Sequence, residues 1–152
     1  MSKKILVVDD DLQIRESLGK VLRTEGYEVR LAADGHEALE LFNKDRIHLI
    51  LLDLNLPGNS GWEVFGTITS ANPFLPIVII TGRQNQRDLA AEAGVGALME
   101  KPLDVPLLLK TISQLIAQKS ETHLKRLVGL RRDLRFSPAS RPPQTLSPQE
   151  NR

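Results

Sequence analysis

Three consecutive carboxylates, Asp9, Asp10 and Asp11, follow the strand-like run Lys4 to Val8. A fourth, Asp53, closes the apolar run Ile50-Leu51-Leu52 and is followed by turn residues, Asn55, Pro57 and Gly58 among them. Adjacent carboxylates repel, and a chain seldom gathers them at a strand end unless a cation offsets the repulsion. Asp11 has a structural role open to it, as N-cap of the helix that follows, which leaves Asp9 and Asp10 for chemistry. Asp53 by itself reads two ways, as a turn cap or as a carboxylate offered at the end of a buried strand. Thr81 and Lys101 end two further apolar runs, and each by itself reads as a turn residue or a solvated lysine. Together the five positions Asp9, Asp10, Asp53, Thr81 and Lys101 supply hard oxygen ligands, a carboxylate nucleophile, a hydroxyl donor and an ammonium. That set suits Mg2+ and a phosphoryl group, and the chemistry it predicts is phosphoryl transfer onto Asp53.

Such chemistry requires elements that bring residues from across the chain to one edge. Apolar positions Ile14, Leu18, Val21 and Leu22 have helical spacing, with Gly26 as the stop. Tyr27 to Ala32 alternates as a strand, and Gly35 to Lys44 is helical again. The central strand His48 to Asp53 leads through Pro57-Gly58-Asn59-Ser60-Gly61 into a helix ending near Ser70. Pro76 to Gly82 is a second continuous apolar strand, Gln84 to Ala93 a weak polar helix, and Gly96 to Glu100 a short fifth strand. Asp104 caps a last helix with Val105, Leu108, Leu109, Ile112, Leu115 and Ile116 on one side. Strands alternating with helices predict an α/β fold, a doubly wound parallel sheet of five strands. In that architecture the carboxyl ends of the strands share one edge, where ligands bind.

The chain has 152 residues, enough for one domain with a core plus an appendage. Its balance of 41% hydrophobic and 26% charged residues is that of a globular domain. No apolar run reaches the roughly 18 residues of a membrane span, and the N-terminus lacks a signal-peptide pattern, so a cytoplasmic location is expected. With no cysteine, thiolate metal sites and cysteine nucleophiles are excluded. His36, His48 and His123 are scattered without metal-ligand spacing. Trp62 and Phe65 at helical spacing read as packing.

The motifs Ile5-Leu6-Val7-Val8-Asp9-Asp10-Asp11, Leu51-Leu52-Asp53-Leu54-Asn55-Leu56-Pro57-Gly58-Asn59-Ser60-Gly61, Ile79-Ile80-Thr81-Gly82 and Lys101-Pro102-Leu103 resemble the receiver domain of two-component response regulators. The resemblance covers about residues 3 to 118. It implies a flavodoxin-like (CheY-like) sheet of strand order 2-1-3-4-5. It also implies that Asp53 takes phosphate from the phosphohistidine of a sensor histidine kinase or histidine phosphotransfer protein. Asp10, Asp53 and the backbone carbonyl of Asn55 would hold Mg2+, with Asp9 acting through water. Thr81 would bond a phosphoryl oxygen, and Lys101, preceding a cis Pro102, would pair with the phosphate. The chain would catalyse only its own phosphorylation and dephosphorylation and pass a signal to a downstream protein, and a homodimer is a compatible assembly. Two residues depart from the family pattern. Leu98 stands where many members carry an aromatic switch, which predicts that Leu98 is passive and that the signal travels through the loop after Thr81 and the following helix. Arg83 stands near the path of the hydrolytic water.

The domain expectation is a receiver over 1–118, a basic helical extension over 119–135 and a disordered Pro/Ser/Gln/Arg-rich tail over 136–152. Residues 1–118 carry 12 basic and 16 acidic groups, net −4, and the remainder 8 and 3, net +5. The tail suits docking to an acidic partner, or simply extends the last helix. A metal-dependent phosphatase with an aspartyl nucleophile is a rival reading, but such enzymes usually carry an acid two residues on, where this chain has Asn55. Nucleic-acid binding lacks a recognisable fold and interleaved aromatics.

Overall fold

The computed structural model describes residues 2–58, 60–83, 85–118 and 134–140. Strands and helices alternate as β1 (Lys4–Val8), α1 (Leu12–Thr24), β2 (Glu28–Ala32), α2 (Gly35–Lys44), β3 (Leu49–Asp53), α3 (Gly61–Ala71), β4 (Ile77–Thr81), α4 (Arg87–Ala93), β5 (Ala97–Glu100), α5 (Val105–Ala117) and β6 (Arg135–Ser137). The strands pair in parallel in the order β2-β1-β3-β4-β5-β6, so the expected 2-1-3-4-5 order is present and β6 extends it.

The continuous apolar runs follow from burial on both faces of this sheet. Leu6, Val8, Ile50, Leu52, Ile77, Ile79 and Leu98 pack with Ala38, Val64, Phe65, Ile68 and Ala90 from α2, α3 and α4. On the opposite face Ile5, Val7, Leu49, Leu51, Val78 and Ile80 pack with Leu18 and Leu22 of α1 and Leu108, Ile112 and Leu115 of α5. Every residue of β3 and β4 is buried. No helix among the described residues is long and apolar enough to cross a membrane.

Helix starts follow the side-chain caps in the sequence. Asp11, Asp34, Ser60 and Asp104 each accept a backbone N–H from the first turn of α1, α2, α3 and α5 respectively. α4 has no such cap, and Asn85 before it takes a positive φ of 64°. The helix expected from Gln84 therefore begins only at Arg87; Gln84 itself lies outside the described residues.

The C-terminal expectation needs correction. Arg135, assigned to a basic helix, opens β6, and Phe136 and Ser137, assigned to a disordered tail, continue it. The strand pairs Arg135, Phe136 and Ser137 with Ala97, Leu98 and Met99 of β5. An unpaired β5 would leave an open sheet edge, and a three-residue strand satisfies it within a stretch whose composition signals disorder. Residues 119–133 and 141–152, the remainder of those two assignments, lie outside the described residues.

Gly61 sets how closely α3 approaches the end of β3. Its N–H donates to the Leu54 carbonyl at 2.9 Å. A Cβ at Gly61 would lie 2.5 Å from both the Asp53 carbonyl oxygen and Leu54 Cα, a clash with backbone that no rotamer relieves. Gly61→Ala is expected to destabilise the fold by roughly 1–3 kcal/mol, measured by denaturant unfolding, whereas Gly66→Ala, whose Cβ meets nothing within 4 Å, should be neutral or stabilising.

Candidate functional site

β1, β3, β4 and β5 end on one edge of the sheet, and the residues that close or just follow β1, β3 and β5 meet there. Asp9 and Asp53 are buried, while Asp10 between them is exposed. One carboxylate oxygen from each of the three lies within 4.8 Å of the others. Lys101 reaches across and donates from Nζ to Asp9 Oδ2 at 2.9 Å and to Asp53 Oδ2 at 3.1 Å. The other oxygens of the buried pair are held by parallel turns. Asp11 N–H donates to Asp9 Oδ1 at 2.9 Å, and Asn55 N–H to Asp53 Oδ1 at 3.0 Å. Each buried carboxylate thus accepts a backbone N–H from two residues ahead and shares one ammonium.

Thr81 is fully buried at the end of β4. Its carbonyl accepts the Lys101 N–H at 2.8 Å, and its Oγ1 accepts the Arg83 N–H at 2.9 Å. The backbone of the lysine is therefore tied directly to the threonine. Lys101-Pro102 is a cis peptide bond, as the motif implied. All five residues singled out by their chemistry converge at this edge. Asn55 is present through the N–H it donates to Asp53.

Two contacts escaped the sequence reading. Arg15 Nη1 donates to the Asp9 carbonyl at 2.8 Å, fixing the acidic turn from the first turns of α1. Trp62 packs edge-to-face on Phe65, with centroids 5.8 Å apart, and its Nε1–H donates to Gln86 Oε1 at 3.3 Å, joining the start of α3 to the residue just before α4. Position along a helix face was the only signal for either. The histidines stay away from the site: His36 pairs with Glu40, and His48 Nδ1 accepts the Lys4 N–H; His123 lies outside the described residues. Leu98 already rests fully buried in the core.

Burial pushes the Asp53 carboxyl above its usual range, and the Asp9 charge adds to this, against the opposing effects of the Asn55 N–H and Lys101. Burial alone would depress the Lys101 ammonium, but its hydrogen bonds and charge pairing with Asp9 and Asp53 outweigh that and raise it. One ammonium does not balance three carboxylates. The donor set of clustered carboxylate oxygens fits a hard divalent cation.

A family model for the response regulator receiver domain matches residues 5–113. The chain belongs to the response regulator receiver family. Among curated relatives, the response regulator MprA of Mycobacterium bovis (strain BCG / Pasteur 1173P2) is 35% identical over 144 residues, covering 93% of this chain and 63% of that protein. MprA of Mycobacterium ulcerans (strain Agy99) is 40% identical over 118 residues, covering 76% and 51%. This receiver chain thus spans between about half and two thirds of the length of these relatives. A CheY-like receiver domain protein from Methanospirillum hungatei JF-1 superposes with a TM-score of 0.73 at 31% identity, covering 76% of this chain and 94% of that one. Thermotoga maritima TrrA, solved in complex with Mg2+-BeF, gives 0.70 at 34% identity, covering 74% and 98%.

The raised Asp53 pKa has a defined sign. The folded receiver holds the proton to higher pH than the unfolded chain, so Asp53's contribution to stability falls as pH rises from the ordinary carboxylate range through its raised folded value. A divalent cation needs the carboxylate ionised and acts in the opposite sense. The rise in Tm produced by excess Mg2+ at about pH 7 is therefore expected to vanish as pH is lowered to about 4. Thermal melts with and without the metal check this, and a pH-independent rise would contradict the assignment of Asp53 to the cation site.

Proposed function

We propose that this receiver accepts one phosphoryl group on Asp53 from the phosphohistidine of a sensor histidine kinase or histidine phosphotransfer protein, in a Mg2+-dependent reaction, and relays the change to a downstream protein. The observation that carries the reading is the buried Asp53 carboxylate at the end of the central strand, sharing Lys101 with Asp9 and clustered with Asp10.

Asp9, Asp10 and Asp53, with the Asn55 carbonyl, are the proposed holders of the metal, Asp9 through water. Bound there, Mg2+ would neutralise charge on the phosphoryl oxygens. Asp53 attacks phosphorus through a carboxylate oxygen. The new O–P bond forms as the P–N bond to the donor imidazole breaks, and the nitrogen keeps the electron pair. Lys101, already between the carboxylates, offsets charge on the transferred group, and the Thr81 hydroxyl is the donor available to a phosphoryl oxygen. Little covalent work falls to the protein, so positioning and charge neutralisation carry the rate. Asp53 is consumed as the acceptor, so the chain acts on itself and does not turn over a separate substrate.

In the presence of Mg2+ and a small phosphodonor such as acetyl phosphate, intact mass is expected to show one added phosphoryl group. Asp53→Asn should abolish it, and chelating the metal should slow it by about a hundredfold or more. Unchanged labelling of the Asn variant would overturn the assignment.

A further inference from the structure

The two residues that flank the site lysine also anchor the chain after β6. Ala139 N–H donates to Glu100 Oε1 at 3.2 Å, and Ser140 N–H donates to the Pro102 carbonyl at 2.8 Å. The chain after β6 is thus fastened to both sequence neighbours of Lys101. Phe136 pairs in register with Leu98 and packs against the core face covered by α2, α3 and α4. Above its ring, 4.9 Å from the centroid, lies the guanidinium of Arg87, the first residue of α4. A ladder of three residues is at the short end for a strand, so the contacts beyond it weigh more. Beyond the ladder and the packing of Phe136, β6 is held by this pair of attachments, one on the Lys101 segment and one on α4. Both lead to Asp53: the first through the Lys101 ammonium, the second through the loop whose Arg83 N–H is held by Thr81 Oγ1.

We propose that residues 135–140 form a strap, held while Asp53 is unmodified and loosened when Asp53 carries a phosphoryl group. This rests on the acceptor reading above. In the unmodified receiver the ammonium sits between the Asp9 and Asp53 carboxylates. A phosphoryl group moves the negative oxygens outward, beyond the Asp53 carboxylate, and adds close to two charges. Lys101 follows them, shifting the backbone on which Glu100 and Pro102 hold the strap. Thr81 is drawn toward the same oxygens, and the loop leading to Arg87 is displaced with it. Leu98 has no part to play beyond packing, because it is already fully buried. Phe136 is the side chain on that face whose cationic partner belongs to a moving element. Coupling of this kind is reciprocal, so weakening the strap must favour the loaded state.

The test uses the 152-residue chain, with beryllofluoride and Mg2+ as the phosphoryl mimic and Mg2+ alone as reference. Amide exchange at residues 135–140 is expected to quicken by about threefold or more on loading, and unchanged or slowed exchange would overturn the strap. Phe136→Ala and Arg87→Gln are each expected to bind the mimic about threefold more tightly than wild type. The Arg87 variant removes one contact outside the core and guards against misfolding of the Phe136 variant. Unaltered or weaker binding by both would also overturn the proposal. Fluorine NMR of the bound mimic separates the two readings. Normal uptake with an unresponsive strap sinks the strap alone, whereas no uptake by wild type, or equal uptake by Asp53→Asn, sinks the acceptor reading and the strap with it.

Discussion

A single ammonium shared by two buried carboxylates holds the functional edge of this molecule together. Taking three charges out of water is costly, and the attraction between them repays it only with good geometry and with the remaining lone pairs satisfied. Both conditions are met here. Lys101 lies within hydrogen-bond distance of Asp9 and Asp53, and the turns after β1 and β3 each return a backbone N–H to the second oxygen. The arrangement still leaves negative charge in excess, with Asp10 at its mouth. Partial neutralisation suits a site that must stay folded without a cation yet retain attraction for one.

That geometry depends on register. Side chains alternate across a strand, so a one-residue slip of β3 would place Asp53 on the other face and strip the ammonium of a partner. The two apolar layers prevent such a slip, because every residue of β3 is buried and adjacent residues belong to opposite layers. Gly61 adds a local constraint, since only a residue without Cβ lets α3 start against the Asp53 and Leu54 backbone. The core therefore does more than stabilise the sheet; it sets where the carboxylates point.

Stability is uneven around this edge. α5 is capped by Asp104 and buries Leu108, Thr111, Ile112 and Leu115. α4 has seven residues, no side-chain cap, and Ala90 as its buried residue. An element so lightly held opens more readily than its neighbours. Its tethers to the rest are polar or aromatic contacts at its start, with Gln86 on Trp62 and Arg87 on Phe136. Both tethers begin near the loop that Thr81 anchors, which puts this short, uncapped helix beside the edge where Asp53 lies.

The sequence by itself determined the parallel α/β architecture, the helix starts at Asp11 and Asp104, and the set of residues that meet at the sheet edge. These rest on short-range patterns: runs of apolar residues bounded by turns, and caps within three residues of the groups they satisfy. Tertiary structure alone decided that Asp9 and Asp53 are the buried pair while Asp10 stays exposed, because burial depends on which neighbours close over each side chain. It alone paired Lys101 with Asp9, 92 positions away, as well as with Asp53. It also delayed α4 to Arg87, where a left-handed Asn85 and a missing cap outweighed helix propensity. Finally, it turned Arg135 to Ser137 into a strand. Local sequence pointed to a helix at Arg135 and to disorder at Phe136 and Ser137, but a β5 edge with unsatisfied backbone groups, and a core face open to Phe136, supplied the hydrogen bonds and burial that local sequence lacked.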